Sequence, residues 1–197
     1  IFNIHPPIIN VIQKSKKKNL DNRNKFVLIL MPYCIAWSPY ANFDQRYEFI
    51  IEILSLLNSF DEKNIKIKIK SAVSTNNTNE EINILENIMK ANNFNNIEIL
   101  KGDLDKCLIN TKYCVGEIGA SIFESIYFNV PYYVYQPKKL GMNSKLIRSS
   151  IISDNLIHKT VKELKNGILE KKMVNIHMEN FLNGNSIKKI NFNNLIH

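Results

Sequence analysis

The residues best suited to chemistry lie between Val115 and Pro131, in the run Val-Gly-Glu-Ile-Gly-Ala-Ser-Ile-Phe-Glu-Ser-Ile-Tyr-Phe-Asn-Val-Pro. The apolar stretch Tyr113-Cys-Val115 leads into Gly116. Gly119, Ala120 and Ser121 then form a turn without bulky side chains, and a helical pattern begins at Ser121. Small residues let a ligand come close to the backbone, and unpaired amides at a helix start favour an anion. Glu124, one turn on, offers a carboxylate that can accept from two adjacent hydroxyls, as on a ribose or a hexose. Glu117 is a second carboxylate at the near end of the turn. The plain structural alternative is a strand-to-helix turn in which Ser121 is only a cap.

Other segments carry polar or aromatic groups. Lys66, Lys68 and Lys70 alternate with isoleucines, and Lys70, followed by Ser71, is placed for a phosphate contact. The same alternation also fits a strand with one wet face. The stretch from Pro32 to Arg46 holds Tyr33, Trp37, Tyr40 and Arg46, with Ser38 or Asn42 available as a helix cap. Such a loop faces a ligand or partner, or else covers the end of a sheet. Gln136 opens another loop, with Lys138, Lys139, Gly141, Asn143 and Ser144 beyond it. His5, His158, His177 and His197 occur singly, and none is assigned as a base. Cys34, Cys107 and Cys114 have no Cys-x-x-Cys spacing and no histidines clustered beside them. That pattern argues against a metal site and for three unpaired thiols in a reducing compartment.

These groups need a scaffold. A chain of 197 residues, 45% hydrophobic and 22% charged, suits one globular domain. No apolar run reaches the roughly 20 residues of a membrane span. The net charge of +8 invites a nucleic-acid reading, but the basic residues are nearly all Lys, with only Arg23, Arg46 and Arg148 as arginines, and the chain is also crowded with Asn and Ile. This is a compositional bias rather than a phosphate-binding surface, and only residues 14–18 form a dense basic run. Residues 1–24, with Pro6-Pro7, read as a linker or tail from a preceding domain, and 25–197 as the domain itself. With Ile1 in place of an initiator Met, the chain is expected to continue a larger protein.

Within the domain, Lys25 to Met31 is a continuous apolar run of the kind a strand covered on both faces shows. Phe43 to Leu57 has helical periodicity, Ile65 to Ile69 alternates as a strand near an edge, and Glu80 to Ala91 is helical. A strand at Ile97 to Leu100 and a short helix at Leu104 to Ile109, with Asp103 as its cap, come next. Tyr113 to Val115 (strand), Ser121 to Phe128 (helix) and Pro131 to Tyr135 (strand) follow, then a last strand within Ile151 to Ile157 and a helix over Val161 to Lys171. The remainder, to His197, reads as a helical tail. Strands alternating with helices predict an α/β fold, a doubly wound and mostly parallel sheet of five or six strands. Ligands of such sheets lie beyond the strands' carboxyl ends, which names the loops after Met31, Lys70 and Val115.

The Gly119–Ser121 turn, Glu124 and the step Asn129-Val130-Pro131 together resemble the donor-binding segment in the C-terminal half of GT-B glycosyltransferases of the surface-polysaccharide kind. The order and spacing of elements agree over residues 25 to about 185, and Phe181 to Ile187 resembles the closing helix region. Many retaining members carry two glutamates separated by seven residues. Here six separate Glu117 from Glu124, so Glu124 is the better match. The family's basic or His-Pro element after the second strand is replaced by Lys66, Lys68 and Lys70. The resemblance implies a Rossmann-like domain that binds a nucleotide-sugar as substrate, with no cofactor and no obligate metal. Gly116, Glu117, Gly119, Ala120, Ser121, Glu124 and Lys70 would hold the donor, and Tyr33, Trp37, Arg46 and Gln136 would face the cleft. It further implies a glycan or lipid-linked acceptor, a second, N-terminal GT-B half carrying the base, no nucleic acid, and a cytoplasmic site with at most peripheral membrane contact. The alternatives are a nucleotide-sugar 2-epimerase or polyol-phosphate transferase of related fold, and a noncatalytic module that binds a partner around Trp37.

Overall fold

In the computed structural model the structure describes residues 25–31, 43–69, 78–95, 97–119, 121–137 and 152–174. Strand β1 (Phe26–Leu30) is buried at every position. A strand with water on neither face has no reason to alternate, which accounts for its unbroken apolar run. Its neighbours are β2 (Ile65–Lys68), β3 (Glu98–Leu100), β4 (Thr111–Gly116), β5 (Tyr132–Tyr135) and β6 (Ile157–His158). Among the described residues these six strands form one sheet in the order β3-β2-β1-β4-β5-β6, and every pairing is parallel. The connecting helices are α1 (Phe43–Ser59), α2 (Thr78–Ala91), α3 (Leu104–Leu108), α4 (Ser121–Tyr127) and α5 (Val161–Leu169).

The period of two along β1 sorts its side chains between two apolar layers. Val27 and Ile29 join Phe49, Ile53 and Leu57 of α1, Leu85 of α2 and Leu164 of α5. Phe26, Leu28 and Leu30 join Cys107 and Leu108 of α3 and Ile122 and Ile126 of α4. Helices therefore cover both faces, as a parallel sheet requires. Helix α5 opens on a side-chain cap. Thr160 Oγ1 accepts from the Glu163 amide at 3.1 Å, and Glu163 Oε2 accepts from the Lys159 amide at 2.6 Å.

Several expectations shift in detail. Strand β4 starts at Thr111, earlier than its apolar run. The final strand shrinks to Ile157–His158 behind a 3-10 turn at Asp154–Leu156. Asp103 precedes α3 but makes no side-chain cap. It pairs instead with Lys106 at 3.0 Å. Beyond α5 the backbone does not continue as helix through Val174, which forms an antiparallel bridge to Tyr132. The proposed tail from 175 onward lies outside the described residues, as does the linker at 1–24. Among the described residues no helix is long and apolar enough to cross a membrane.

Candidate functional site

Strand order fixes where the sheet can receive a ligand. From β1 the chain moves outward to β2 and β3, then returns to place β4 on the other side of β1. Connections leaving the carboxyl ends of β1 and β4 therefore diverge to opposite faces and leave a crevice, the usual ligand position in open parallel sheets. Leu30 of β1 pairs with Gly116 of β4 at that boundary. The segment singled out for chemistry thus begins at the switch point of the sheet.

Its geometry is set from β5. A Cβ at position 116 would collide with the Tyr132 hydroxyl and reach 3.0 Å from Leu30 Cβ, so only glycine fits. Tyr132 is fully buried, and its hydroxyl donates to the Glu117 carbonyl at 2.8 Å. Burial pushes the phenol well above its ordinary pKa, while a hydrogen bond with Ser121 opposes the shift. Directly after β5, Gln136 Oε1 accepts from the Ile118 amide at 3.0 Å. The two bonds hold opposite sides of the single Glu117–Ile118 peptide group, at the β4 end of the turn into α4.

Helix α4 presents Ser121, Ile122, Ser125 and Ile126 to the sheet. Ser125 Oγ donates to the Ser121 carbonyl at 2.9 Å and lies 3.6 Å from Cys114 Sγ. Burial raises the Cys114 thiol to about 12, which removes it as a nucleophile at neutral pH. The Cys107 thiol is also raised by burial, and both cysteines are free. Glu124 lies on the exposed side of α4, Glu117 and Gly119 are half-exposed, and these three reach the surface around the turn.

The sequence-predicted residues therefore divide. Gly116, Ser121 and Gln136 are buried and form the frame of the turn, whereas Glu117, Gly119 and Glu124 are open to solvent. Arg46, expected on the cleft loop, sits instead in the first turns of α1, 1% exposed and ion-paired with Glu81 of α2. A guanidinium this deeply buried needs a carboxylate partner, and Glu81 supplies it. Ala120, Lys70, Tyr33, Trp37 and Cys34 lie outside the described residues. Sequence reasoning missed Tyr132 and passed over Lys68, which is 7% exposed at the end of β2. Consecutive tyrosines at 132 and 133 flag a strand with one hydroxyl directed to each face. Nothing in the Ile-Lys alternation shows which lysine is covered. Among the described residues no group of three His, Cys, Asp or Glu is arranged to hold a metal ion.

No protein-family model matches the chain, and no curated protein matches its sequence. Among solved structures, a mutant O-GlcNAc transferase from Thermobaculum terrenum aligns with 88% of this chain and 32% of its own, at 12% identity and a TM-score of 0.46. The wall teichoic acid polymerase TagF, in a form soaked with CDPG, aligns with 83% of this chain and 41% of its own, at 10% identity and a TM-score of 0.40. The chain thus spans less than half the length of either protein.

Proposed function

We propose that this chain is the donor-binding half of a GT-B-type glycosyltransferase, which moves a sugar from a nucleotide-sugar to an acceptor hydroxyl in surface-polysaccharide synthesis. The supporting observation is a coincidence of position. The small-residue turn with its two carboxylates, singled out on residue type alone, follows the strand at the reversal point of the sheet. In this reading Gly119 and Ala120 leave room for the nucleotide. Glu124, exposed beside the turn, accepts from a vicinal diol of the donor, and Glu117 flanks it. Tyr132 and Gln136 hold the turn in place without touching substrate. The base and the acceptor site belong to a second half, and the acceptor is a glycan or a lipid-linked saccharide presented at the cytoplasmic face of a membrane.

Calorimetric titration with UDP, GDP, CMP and CDP derivatives tests this. One nucleotide class should bind, and Glu124→Gln should weaken it by roughly 1–2 kcal/mol, the scale of a charge-assisted hydrogen bond. Binding indifferent to Glu124→Gln, or no binding to any nucleotide with the other half supplied, would overturn the reading.

A further inference from the structure

Helices α1 and α2 both end beside the amino-terminal ends of β2 and β3, and they end in the same way. Asp61 follows α1 at φ +56°, and Asn93 follows α2 at φ +57°. The Glu62 amide reaches back to the Leu57 carbonyl at 3.2 Å, and the Phe94 amide to the Met89 carbonyl at 2.9 Å. Between these two turns and the start of the strands lies a cavity of about 240 Å³. Its floor is apolar. Leu54 and Ile65 are buried there, and Phe94 and Ile97 are half-buried beside them. Its walls carry the carboxamides of Asn58, Asn93 and Asn95. Among the described residues none of these three side chains is hydrogen-bonded to a protein group. Asn92, outside the cavity, instead gives its side-chain amide to the Ile88 carbonyl at 2.8 Å.

The charged groups of the lining already have partners. Lys63 Nζ lies 3.5 Å from Asp61 Oδ2. Glu62 Oε1 accepts from Lys112 at 2.6 Å and from the Tyr113 hydroxyl at 3.4 Å. Two carboxylates thus meet two ammonium groups, and neither is left to balance a cationic ligand. An anion would face those carboxylates and the carbonyl ends of two helices. Among the described residues no group of three His, Cys, Asp or Glu is arranged for a metal ion. A neutral ligand remains, with polar groups at its edge and an apolar face. We propose that this cavity binds one pyranose ring of a saccharide, its hydroxyls on the carboxamides of Asn58, Asn93 and Asn95 and its C–H face against Phe94. A carboxamide donates and accepts, as a hydroxyl does, so the match needs no charge. The volume falls below the roughly 300–1,000 Å³ of pockets for drug-sized ligands, which suits a single ring.

The cavity and the switch point lie at opposite ends of the sheet. Ile65 opens β2 and pairs with Val27 near the start of β1, whereas Gly116 closes β4 beside Leu30. A strand length, on the order of 15 Å, separates the two levels. A ring held here therefore makes no contact with Glu117 or Glu124, whatever the switch point binds. It reaches the cavity either as a free sugar or as one unit of a glycan chain.

Titration of the full chain, followed by its amide NMR shifts, decides the matter. The probes are the methyl glycosides of glucose and galactose, N-acetylglucosamine, maltotriose, glycerol and N-acetyl-trialanine amide. At least one saccharide should shift the amides of Asp61 to Lys63 and of Asn93 to Asn95, and glycerol should not. Asn93→Gly removes one carboxamide without strain, because glycine adopts φ +57° freely. Asn93→Gly and Asn95→Ala should each weaken the saccharide about three- to tenfold, the scale of one neutral hydrogen bond. Phe94→Leu keeps apolar bulk but removes the ring, and should weaken it as well. Equal affinity for a monosaccharide and for maltotriose identifies a free sugar, and tighter binding of maltotriose a unit of a chain; both support the proposal. No shift with any saccharide, equal shifts with glycerol, or preference for the peptide amide overturns it. Saccharide binding weakened by Glu124→Gln and not by Asn93→Gly also overturns it, while leaving the transferase reading standing. Should Phe94→Leu fail to fold, the two asparagine variants still give the answer.

Discussion

Tyr132 connects to three of the residues that sequence reasoning assigned to the ligand: it occupies the space beside Gly116, donates its hydroxyl proton to the Glu117 carbonyl, and meets Ser121. Its contribution is measurable. Tyr132→Phe deletes the hydroxyl and leaves the part-buried Glu117 carbonyl short of a donor, at a cost of about 1 kcal/mol. Gly116→Ala pushes a methyl group into that hydroxyl, and overpacking of this kind costs about 1–3 kcal/mol. The two changes address one obstruction, so the double variant should lose less stability than the two single variants added together. Leu30 Cβ would still stand 3.0 Å from the new methyl group, so the relief is partial. Urea unfolding of the four proteins measures the coupling. Strictly additive losses would mean that Tyr132 does not shape the turn through Gly116.

The same logic applies to a whole helix in α5, where Gly167 and His158 meet. Alanine normally gains about 1 kcal/mol over glycine inside a helix. At position 167 a Cβ would overlap the His158 imidazole, so Gly167→Ala should destabilise the protein instead, by about 1–3 kcal/mol in thermal or urea unfolding. His158 is 4% exposed, with Nε2 3.1 Å from the Lys172 carbonyl. Burial lowers its pKa, the Lys172 carbonyl and the Glu163 carboxylate oppose that, and the Lys172 ammonium adds to it. The folded protein thus binds this proton at lower pH than the unfolded chain does. Its contribution is present above the ordinary value near 6.5 and is lost as pH falls through the folded value. Between about pH 7 and about pH 5 the wild type should lose more stability than His158→Gln, as paired melts would show. Equal losses would place the proton elsewhere. Elements such as α1 and β1 were legible because one periodicity settles them: a long amphipathic face and an unbroken apolar run. The last strand was expected within Ile151 to Ile157, but its reduction to Ile157–His158 and the bridge at Val174 were not, because tertiary pairing sets them and no local pattern marks them. At the site, small residues and charge revealed the turn. The buried side chains holding it, Tyr132 and Gln136, come from a strand that reads as ordinary core, and the burial of Arg46 depends on Glu81, 35 residues away.

Across the whole molecule, stability should be graded along the sheet rather than along the chain. Strands β1 and β4 occupy its middle, with apolar layers on both faces and a paired neighbour on each side. Strand β3 is an edge of three residues, none of them fully buried, and β6 is an edge of two. Opening β3 exposes little apolar surface, whereas opening β1 separates both layers at once. Amide exchange should therefore be slowest in β1 and β4, at the free energy of global unfolding, and faster in β3 through local opening. The turn from Glu117 to Gly119 is a separate case. It is partly exposed, yet the Ile118 amide is held by Gln136, so that amide should exchange more slowly than its neighbours in the turn. Gln136→Ala should abolish the difference without changing β1. A nucleotide bound at the switch point should slow exchange in the turn and in the ends of β1 and β4, leaving the amino-terminal ends of the strands unchanged. Exchange read by mass spectrometry with and without nucleotide checks that pattern. Protection that misses the turn and the ends of β1 and β4 would place the ligand away from the switch point.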